Sequence, residues 1–405
     1  MRATESTSTS TDVAPTAASR HLSVRIYESL DELHAIRPGW DQLLSRYPLA
    51  TTFCTWEWLS CWWECLGQEH GLLTIALFDS ESLVGLAPLS ISKENVGWFS
   101  LRVLRLMGDG SGDSDNLDLP VQPGYEHAFA EEILSVLKQR KKQWDVCQLN
   151  TLPSDSLVAS CLSESLRSQS WVCYEYSSRC SAVDLPETWE LYARKLSSED
   201  RKNLTRYTRR LQTRHSVQIY RCTKPEELPR FLEALFGLHQ ERWRNAGEPG
   251  TFSSAARRKF YDQLSRCLLD RGWLEFWILE LDGEIAAAQF AFRYGDKAFQ
   301  LQEGYDHRRS SDRPGYVLRG FVLEYLIQEN VRTYDFLGGE DAYKSRWGAR
   351  QGVYRQIHFA PAISFGAVWL ECVDKAGRSK ERLRVALPSS LWSLLRKTKA
   401  LVATQ

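Results

Sequence analysis

The residues able to do chemistry gather in three stretches of this chain. The first spans residues 335–347, where Gly338-Gly339 is followed by Glu340, Asp341, Tyr343, Lys344 and Trp347. Two carboxylates, a phenol and an ammonium beside one sharp turn are the parts of a group transfer: a base, a proton donor and a cation for developing negative charge. Glu340 or Asp341 would be the base, Tyr343 the donor and Lys344 the cation. The plainer reading is a packed loop, with Tyr343 and Trp347 at helical spacing as core and Lys344 in solvent. The second stretch is Arg308-Arg309-Ser310-Ser311-Asp312-Arg313-Pro314-Gly315, then Tyr316 and Val317. Pro-Gly ahead of an apolar-periodic run marks a helix start. The free amides and positive dipole end there suit a phosphate. Gly315 would let the backbone approach closely, and Arg308, Arg309 and Arg313 would add charge. The alternative is three solvated arginines before a helix. The third stretch holds His239, Arg242 and Trp243. A spacing of three puts His239 and Arg242 on one helix face, able to line a substrate pocket or to serve only as structure. Glu303 and His307 flank the second stretch and are weaker candidates.

The elements that must hold these residues occur twice. Ser23-Val24-Arg25-Ile26-Tyr27 precedes Leu30-Asp31-Glu32-Leu33, and Ser216-Val217-Gln218-Ile219-Tyr220 precedes Pro225-Glu226-Glu227-Leu228. Each is a short alternating strand before a helix with acidic residues in its first turn. A hairpin follows in both: residues 71–78 with 84–89, and 273–281 with 285–290 across Asp282-Gly283-Glu284, Asp-Gly being a strong turn signal. Each copy then gives a strand, a Gly/Asp-rich loop, a helix and a last apolar strand. In the second copy the helix is marked by Leu318, Phe321, Val322, Tyr325 and Leu326. This order predicts an α/β fold of mixed sheets flanked by helices, not a doubly wound one. The expected division is a disordered tail at 1–20, a first domain at 21–183, a second at 184–365 and an accessory segment at 366–405.

Composition narrows the classes. At 405 residues, 43% hydrophobic and 25% charged, the chain suits two or three globular domains. Lys+Arg and Asp+Glu are 51 each, so no global field draws it to DNA or a membrane. Its ten cysteines include no CxxC pair and no histidine at ligand spacing, which argues against a metal site and a disulfide scaffold and for reduced thiols in the cytoplasm. Residues 1–20 lack the apolar centre of a signal peptide, and no run of apolar residues is long enough for a membrane span. Residues 195–214 form a basic amphipathic helix with Leu204, Tyr207 and Leu211 as its stripe. Its basic side reads as a solvated face first, and as a surface for a phosphorylated acceptor or transfer RNA second. The basic stretch at 391–402 either docks as a C-terminal helix or touches an anionic membrane as a peripheral contact.

Three motifs of the second copy carry a family resemblance. They are residues 238–243 with Gly247 and Phe252, Gly304-Tyr305-Asp306 with Pro314-Gly315, and Tyr334-Asp335-Phe336-Leu337-Gly338-Gly339 with Tyr343-Lys344 and Trp347-Gly348. Together with the element order they resemble the GNAT superfamily, and within it the BioF-like, FemAB-related branch with tandem GNAT domains, over residues 20–365. The resemblance implies an N-acyltransferase moving an acyl group from acyl-CoA to an amine, with no metal. It implies that Arg308, Arg309, Arg313, Gly315, Tyr316 and Val317 bind the cofactor's pyrophosphate and that His239, Arg242 and Trp243 line the acceptor side. Lys344 would stabilise charge on the donor or the tetrahedral intermediate, Tyr343 would protonate the leaving thiolate, and Glu340 or Asp341 would deprotonate the amine. One departure is that the usual loop, Gln/Arg-x-x-Gly-x-Gly/Ala, is reduced to a single glycine, which leaves the donor's identity open. The first copy's loop at 108–116 carries Asp109, Asp113 and Asp115. Its charge should repel pyrophosphate, so the first domain is expected to shape the acceptor side, for a small-molecule or peptide or glycan-precursor amine. Two other readings stand beside this one: a FemAB-like peptidyltransferase using aminoacyl-transfer RNA, and a catalytically silent binding module in polysaccharide or cell-envelope assembly.

Overall fold

The computed structural model describes residues 21–245, 250–339 and 342–386. The first half runs β1 (Leu22–Tyr27), α1 (Leu30–His34), α2 (Arg37–Arg46), α3 (Trp56–Leu66), β2 (Gly71–Asp79), β3 (Ser82–Val96), β4 (Phe99–Leu106), α4 (Glu126–Gln139), β5 (Val146–Pro153), α5 (Leu157–Ser168) and β6 (Val172–Asp184). The second half runs α6 (Trp189–Lys195), α7 (Ser198–Arg214), β7 (Val217–Arg221), α8 (Leu228–Asn245), α9 (Ala255–Asp270), β8 (Leu274–Leu281), β9 (Glu284–Tyr294), β10 (Lys297–Tyr305), α10 (Pro314–Gln328), β11 (Thr333–Gly338), α11 (Ala342–Ser345), β12 (Arg350–Ala360) and α12 (Phe365–Ala386).

The two strand–helix starts are held by the same device. Ser29 accepts the amide of Glu32, whose carboxylate accepts the amides of Glu28 and Ser29. In the second half the Glu227 carboxylate accepts the amides of Thr223 and Lys224. An acidic residue in the first turn satisfies amides that the helix leaves unpaired. The hairpins form as expected, with Asp282 and Gly283 both at positive φ, as a tight turn between adjacent strands requires.

The duplicated order is present, but the copies do not close separate sheets. Among the described residues one mixed sheet runs β1-β2-β3-β4-β5-β12-β6-β11-β10-β9-β8-β7. Read inward from either edge, three antiparallel pairings are followed by one parallel pairing, β4 with β5 and β10 with β11. Each copy then sends its last strand across. β12 pairs with β5 of the first half, and β6 pairs with β11 of the second. These exchanged strands pair with each other along eleven positions, Arg350↔Ala182 to Ala360↔Val172.

The apolar core also crosses between halves. Phe53 and Trp58 of the first half pack edge-on against Phe292, Phe299 and Phe260 of the second. All five are buried, each contributing on the order of 1.5–3 kcal/mol by leaving water. α10 and α7 cover the other face of β8–β10 around a second cluster. Among the described residues no helix is long and apolar enough to cross a membrane.

Candidate active site

The site begins where two strands part. β10 and β11 pair only at Lys297↔Thr333, Ala298↔Tyr334 and Phe299↔Asp335. Beyond Phe299 and Asp335 they diverge and leave the sheet open. A bulge lies in β10 between Gln300 and Gln302. In β11, Leu337 sits at φ +60, a left-handed conformation that costs a non-glycine residue roughly 1–2 kcal/mol. Its amide is held by the Asp335 carboxylate at 2.7 Å. Backbone strain stabilised by a neighbouring side chain is common at functional sites.

A cavity of about 270 Å³ lies at the carboxyl end of β10, walled by α7, β9, α10 and α11. Gln289, Glu303, Tyr316, Arg319 and Tyr343 line it, with Arg313 among its wall residues at the start of α10. Arg319, 4% exposed, pairs with Glu303 and lies over the rings of Tyr343, Phe336 and Trp347 at 4.9, 5.4 and 5.7 Å. Gln289 donates to the Tyr334 hydroxyl at 3.1 Å. Tyr316 packs tilted against Trp347 with ring centres 4.5 Å apart, and burial pushes its hydroxyl up to about 12. The wall is thus largely aromatic, with the Arg319–Glu303 pair fixed inside it.

Of the residues singled out by sequence, Arg313, Gly315, Tyr316, Tyr343 and Glu303 line this cavity. Arg313 caps α10 in the left-handed conformation, and its carbonyl already accepts the amides of Tyr316 and Val317. Arg308 and Arg309 are turned to carboxylates instead. Arg308 grips Asp306 through two bonds of 3.0 Å, and Arg309 meets Glu284 at 2.8 Å. The Val317 side chain faces a separate groove between α7 and α10. His239 is buried against Phe252 at 4.9 Å, where α8 crosses Gly304 so closely that a Cβ there would meet Leu238 at 2.8 Å. His307 stacks on Tyr305 at 4.5 Å. The side chains of Arg242 and Trp243, and the whole of Glu340 and Asp341, lie outside the described residues.

Lys344 corrects the solvated reading. It is 4% exposed, and its Nζ donates to the carbonyls of Gly338 at 2.7 Å and Gly339 at 3.2 Å, with Leu337 at 3.5 Å. It holds the turn after β11 and is not among the cavity-lining residues. The acidic loop of the first half reaches the same turn. Asp115 accepts the Gly338 amide at 2.8 Å, while Asn116 donates to Asp335 at 3.2 Å and to the Tyr354 hydroxyl at 2.9 Å. Asp113 is buried against Arg257 at 3.1 Å and Tyr261 at 2.8 Å. Arg319 and Gln289 escaped the sequence reading. A lone arginine within the apolar run of α10 was the signal available for Arg319.

Residues 198–345 match the family model for the acetyltransferase (GNAT) domain. No curated protein matches the chain. Among solved structures, FemX is 11% identical with a TM-score of 0.57, over 80% of this chain and 96% of that one. A conserved protein of unknown function from Bacteroides thetaiotaomicron VPI-5482 is 10% identical with a TM-score of 0.50, over 80% and 97%. A tandem GNAT protein from the clavulanic acid biosynthesis pathway is 15% identical with a TM-score of 0.48, over 84% and 99%. Residues 198–345 therefore carry a GNAT-type domain, and the chain has the fold that FemX has.

Proposed function

We propose that the chain is an N-acyltransferase that takes its acyl group from acyl-CoA and gives it to an amine. The observation that carries this reading is the open edge between β10 and β11, with the cavity at the start of α10. Strand backbone released from pairing beyond Phe299 offers amides and carbonyls to a pantetheine arm, and Arg313 with Gly315 stands where the phosphates would lie. In this reading Tyr343 gives a proton to the leaving thiolate, and the Arg319–Glu303 pair fixes the wall around the thioester. Lys344 is a positioning residue that holds the turn. Glu340 and Asp341 remain proposed bases, and His239, Arg242 and Trp243 proposed acceptor-side residues. The domain division at 183/184 is likewise proposed, for the duplicated units and not for the shared sheet.

The test is calorimetric titration of CoA and acetyl-CoA, followed by thiol release with a panel of amines. Arg313→Ala should weaken CoA binding by about tenfold, the value of one charge-assisted phosphate contact. Absence of both binding and thiol release would sink the proposal.

A second reading has its own observation. α7 forms part of the cavity wall, and Arg201, Lys202 and Arg209 on it have no carboxylate within ion-pair distance among the described residues. A phosphate-rich donor such as an aminoacyl-transfer RNA could cross that face and deliver its ester to the same cavity. Competition of transfer RNA against acetyl-CoA, steepened at low salt, would favour it.

A further inference from the structure

The parting of β10 and β11 opens the sheet to both faces. Tyr334 and Phe336 belong to the cluster under α10, on the side of the cavity described above. Asp335, between them in sequence, turns to the opposite face, because successive side chains of a strand alternate. There a separate pocket of about 190 Å³ lies between the two halves. Asp335, Asn116, Asp155, Cys180, Arg350 and Tyr354 are among its walls. Its walls come from β11 and from the exchange region: the ends of β5 and β6, the start of β12, and the loop before α4. Asp335 is also the last residue of β11 paired to β10, so it stands at the vertex of the open angle.

We propose that this pocket receives the acceptor as a primary ammonium, and that Asp335, in place of Glu340 or Asp341, takes its proton at the vertex where the acyl carbon of a donor in the α10-side cavity would lie. The proposal rests on the N-acyltransferase reading and supplies its acceptor side. The charges in the pocket fit. Asp335 and Asp155 line it, and Asp115 stands behind Asp335. Among the described lining residues the guanidinium is that of Arg350, which is paired with Asp184. A space of this size admits the amine-bearing end of an acceptor.

The groups around Asp335 are the Leu337 amide of β11, Asn116 and Asp115 of the first-half loop, Lys297 of β10, Cys180 of β6 and Tyr354 of β12, with the Lys344 ammonium of α11 acting on Asp115 and Cys180. Burial pushes the Asp335 carboxyl up to about 6. The Leu337 amide and Asn116 pull it down, Asp115 pushes it up, and Lys297 pulls it down. A carboxylate ionised just below neutral pH can accept a proton and release it again. The protons balance. Of the three on the ammonium, one goes to Asp335 and on to water, one is carried to the leaving sulfur, and one stays on the amide. The nitrogen lone pair forms the C–N bond, and the C–S bond breaks with its electrons on sulfur.

Two measurements test this. Cys180 lines the pocket and Cys372 is exposed elsewhere, so both thiols can be labelled in one protein and separated by peptide mass spectrometry. With 2-aminoethyl methanethiosulfonate against its 2-sulfonatoethyl analogue, the cationic preference at Cys180 should exceed that at Cys372 by about tenfold, and should shrink in Asp335→Asn. Equal preference at the two cysteines overturns the pocket, whatever the protein's activity. In turnover, Asp335→Asn should lower kcat by about 10²-fold or more and flatten the acid limb near pH 6, with acetyl-CoA affinity unchanged. An Asp335→Asn protein with the wild-type pH profile overturns the proton role. If the wild type moves no acyl group at all, the N-acyltransferase reading fails instead, and the labelling ratio still decides the pocket.

Discussion

Truncating Arg319 should damage the protein more than any exposed arginine could. Its side chain is 5% exposed and that of its partner Glu303 is 25% exposed. Removing one member of a buried pair strands the other charge, a loss of about 3–5 kcal/mol. Glu303 borders the cavity and can draw water, so the lower end, about 3 kcal/mol, applies. The guanidinium also lies over three rings, and each such contact is worth about 0.5–1 kcal/mol. Arg319→Ala should therefore cost about 5 kcal/mol. Arg319→Met, which keeps the stem's volume, should cost less, and Arg319→Met/Glu303→Gln less again, because no charge is stranded. The assay is urea unfolding of wild type, Arg319→Met, Glu303→Gln and the double variant, read as a double-mutant cycle, with Arg319→Ala measured beside them. A cost below about 1 kcal/mol for Arg319→Ala, or independent effects of the two sites, would refute the argument that this pair organises the cavity. Tyr343 and Trp347 rest on the same guanidinium, so kcat should fall in parallel.

Lys344→Ala should lower the thermal midpoint as well as turnover, because it removes charged donors from the turn carbonyls, bonds worth about 1.5–3 kcal/mol each. A normal midpoint with lost turnover would return Lys344 to a direct role in charge stabilisation. Gly366→Ala should detach the first turn of α12, since a Cβ there would fall 1.8 Å from the Asp145 carbonyl oxygen; faster proteolysis within α12 is the readout. His358, which meets Asn150 at 2.9 Å, is held down to about 4 by burial, with Arg105 adding to it. Its folded value lies below the unfolded one near 6.5, so its contribution is present above pH 6.5 and is lost as pH falls towards 4, by roughly 3 kcal/mol in all. His358→Gln should lack that loss when the two proteins' unfolding is compared across this range.

The repeat was legible because it rests on local signals. Ser29 with Glu32, Glu227, and the Asp282-Gly283 turn each act within a few residues, and periodicity reveals such elements. The cavity was half legible for the same reason. Tyr316 and Tyr343 sit beside glycine turns that announce themselves, whereas Arg319 is one polar residue in an apolar helix and Gln289 one in an apolar strand. The arginine loop shows the limit of reading by type. Arg308, Arg309 and Arg313 look alike in sequence, yet Asp306 and Glu284 take up the first two and leave only the third at the cavity. Arg308 meets a carboxylate two residues away, but Arg309 meets Glu284 of the neighbouring strand, and no spacing rule reports that contact.

The strand exchange was illegible for a deeper reason, and it bears on the chemistry. β6 and β12 alternate like any half-buried strand, and nothing in their composition says which half they join. Because each joins the other half, the region around Asp335 is built from both copies: Asp115 and Asn116 from the first, Leu337 and Gly338 from the second, with Cys180 and Tyr354 on the exchanged strands. A Cβ at Gly338 would stand 3.2 Å from the Asp115 carboxylate, so the two loops are in contact as close as glycine allows. The first copy's acidic loop therefore need not be a failed phosphate site. Asp115 is taken up by Gly338, and Asp113 by Arg257 and Tyr261, all of the second copy, while Asp109 meets Asn150 and Arg105 of its own copy. A duplicated domain that keeps one open strand edge for a donor can use its twin's loop to wall the opposite face, and exchanging the last strands fixes that wall by eleven paired positions instead of by a linker.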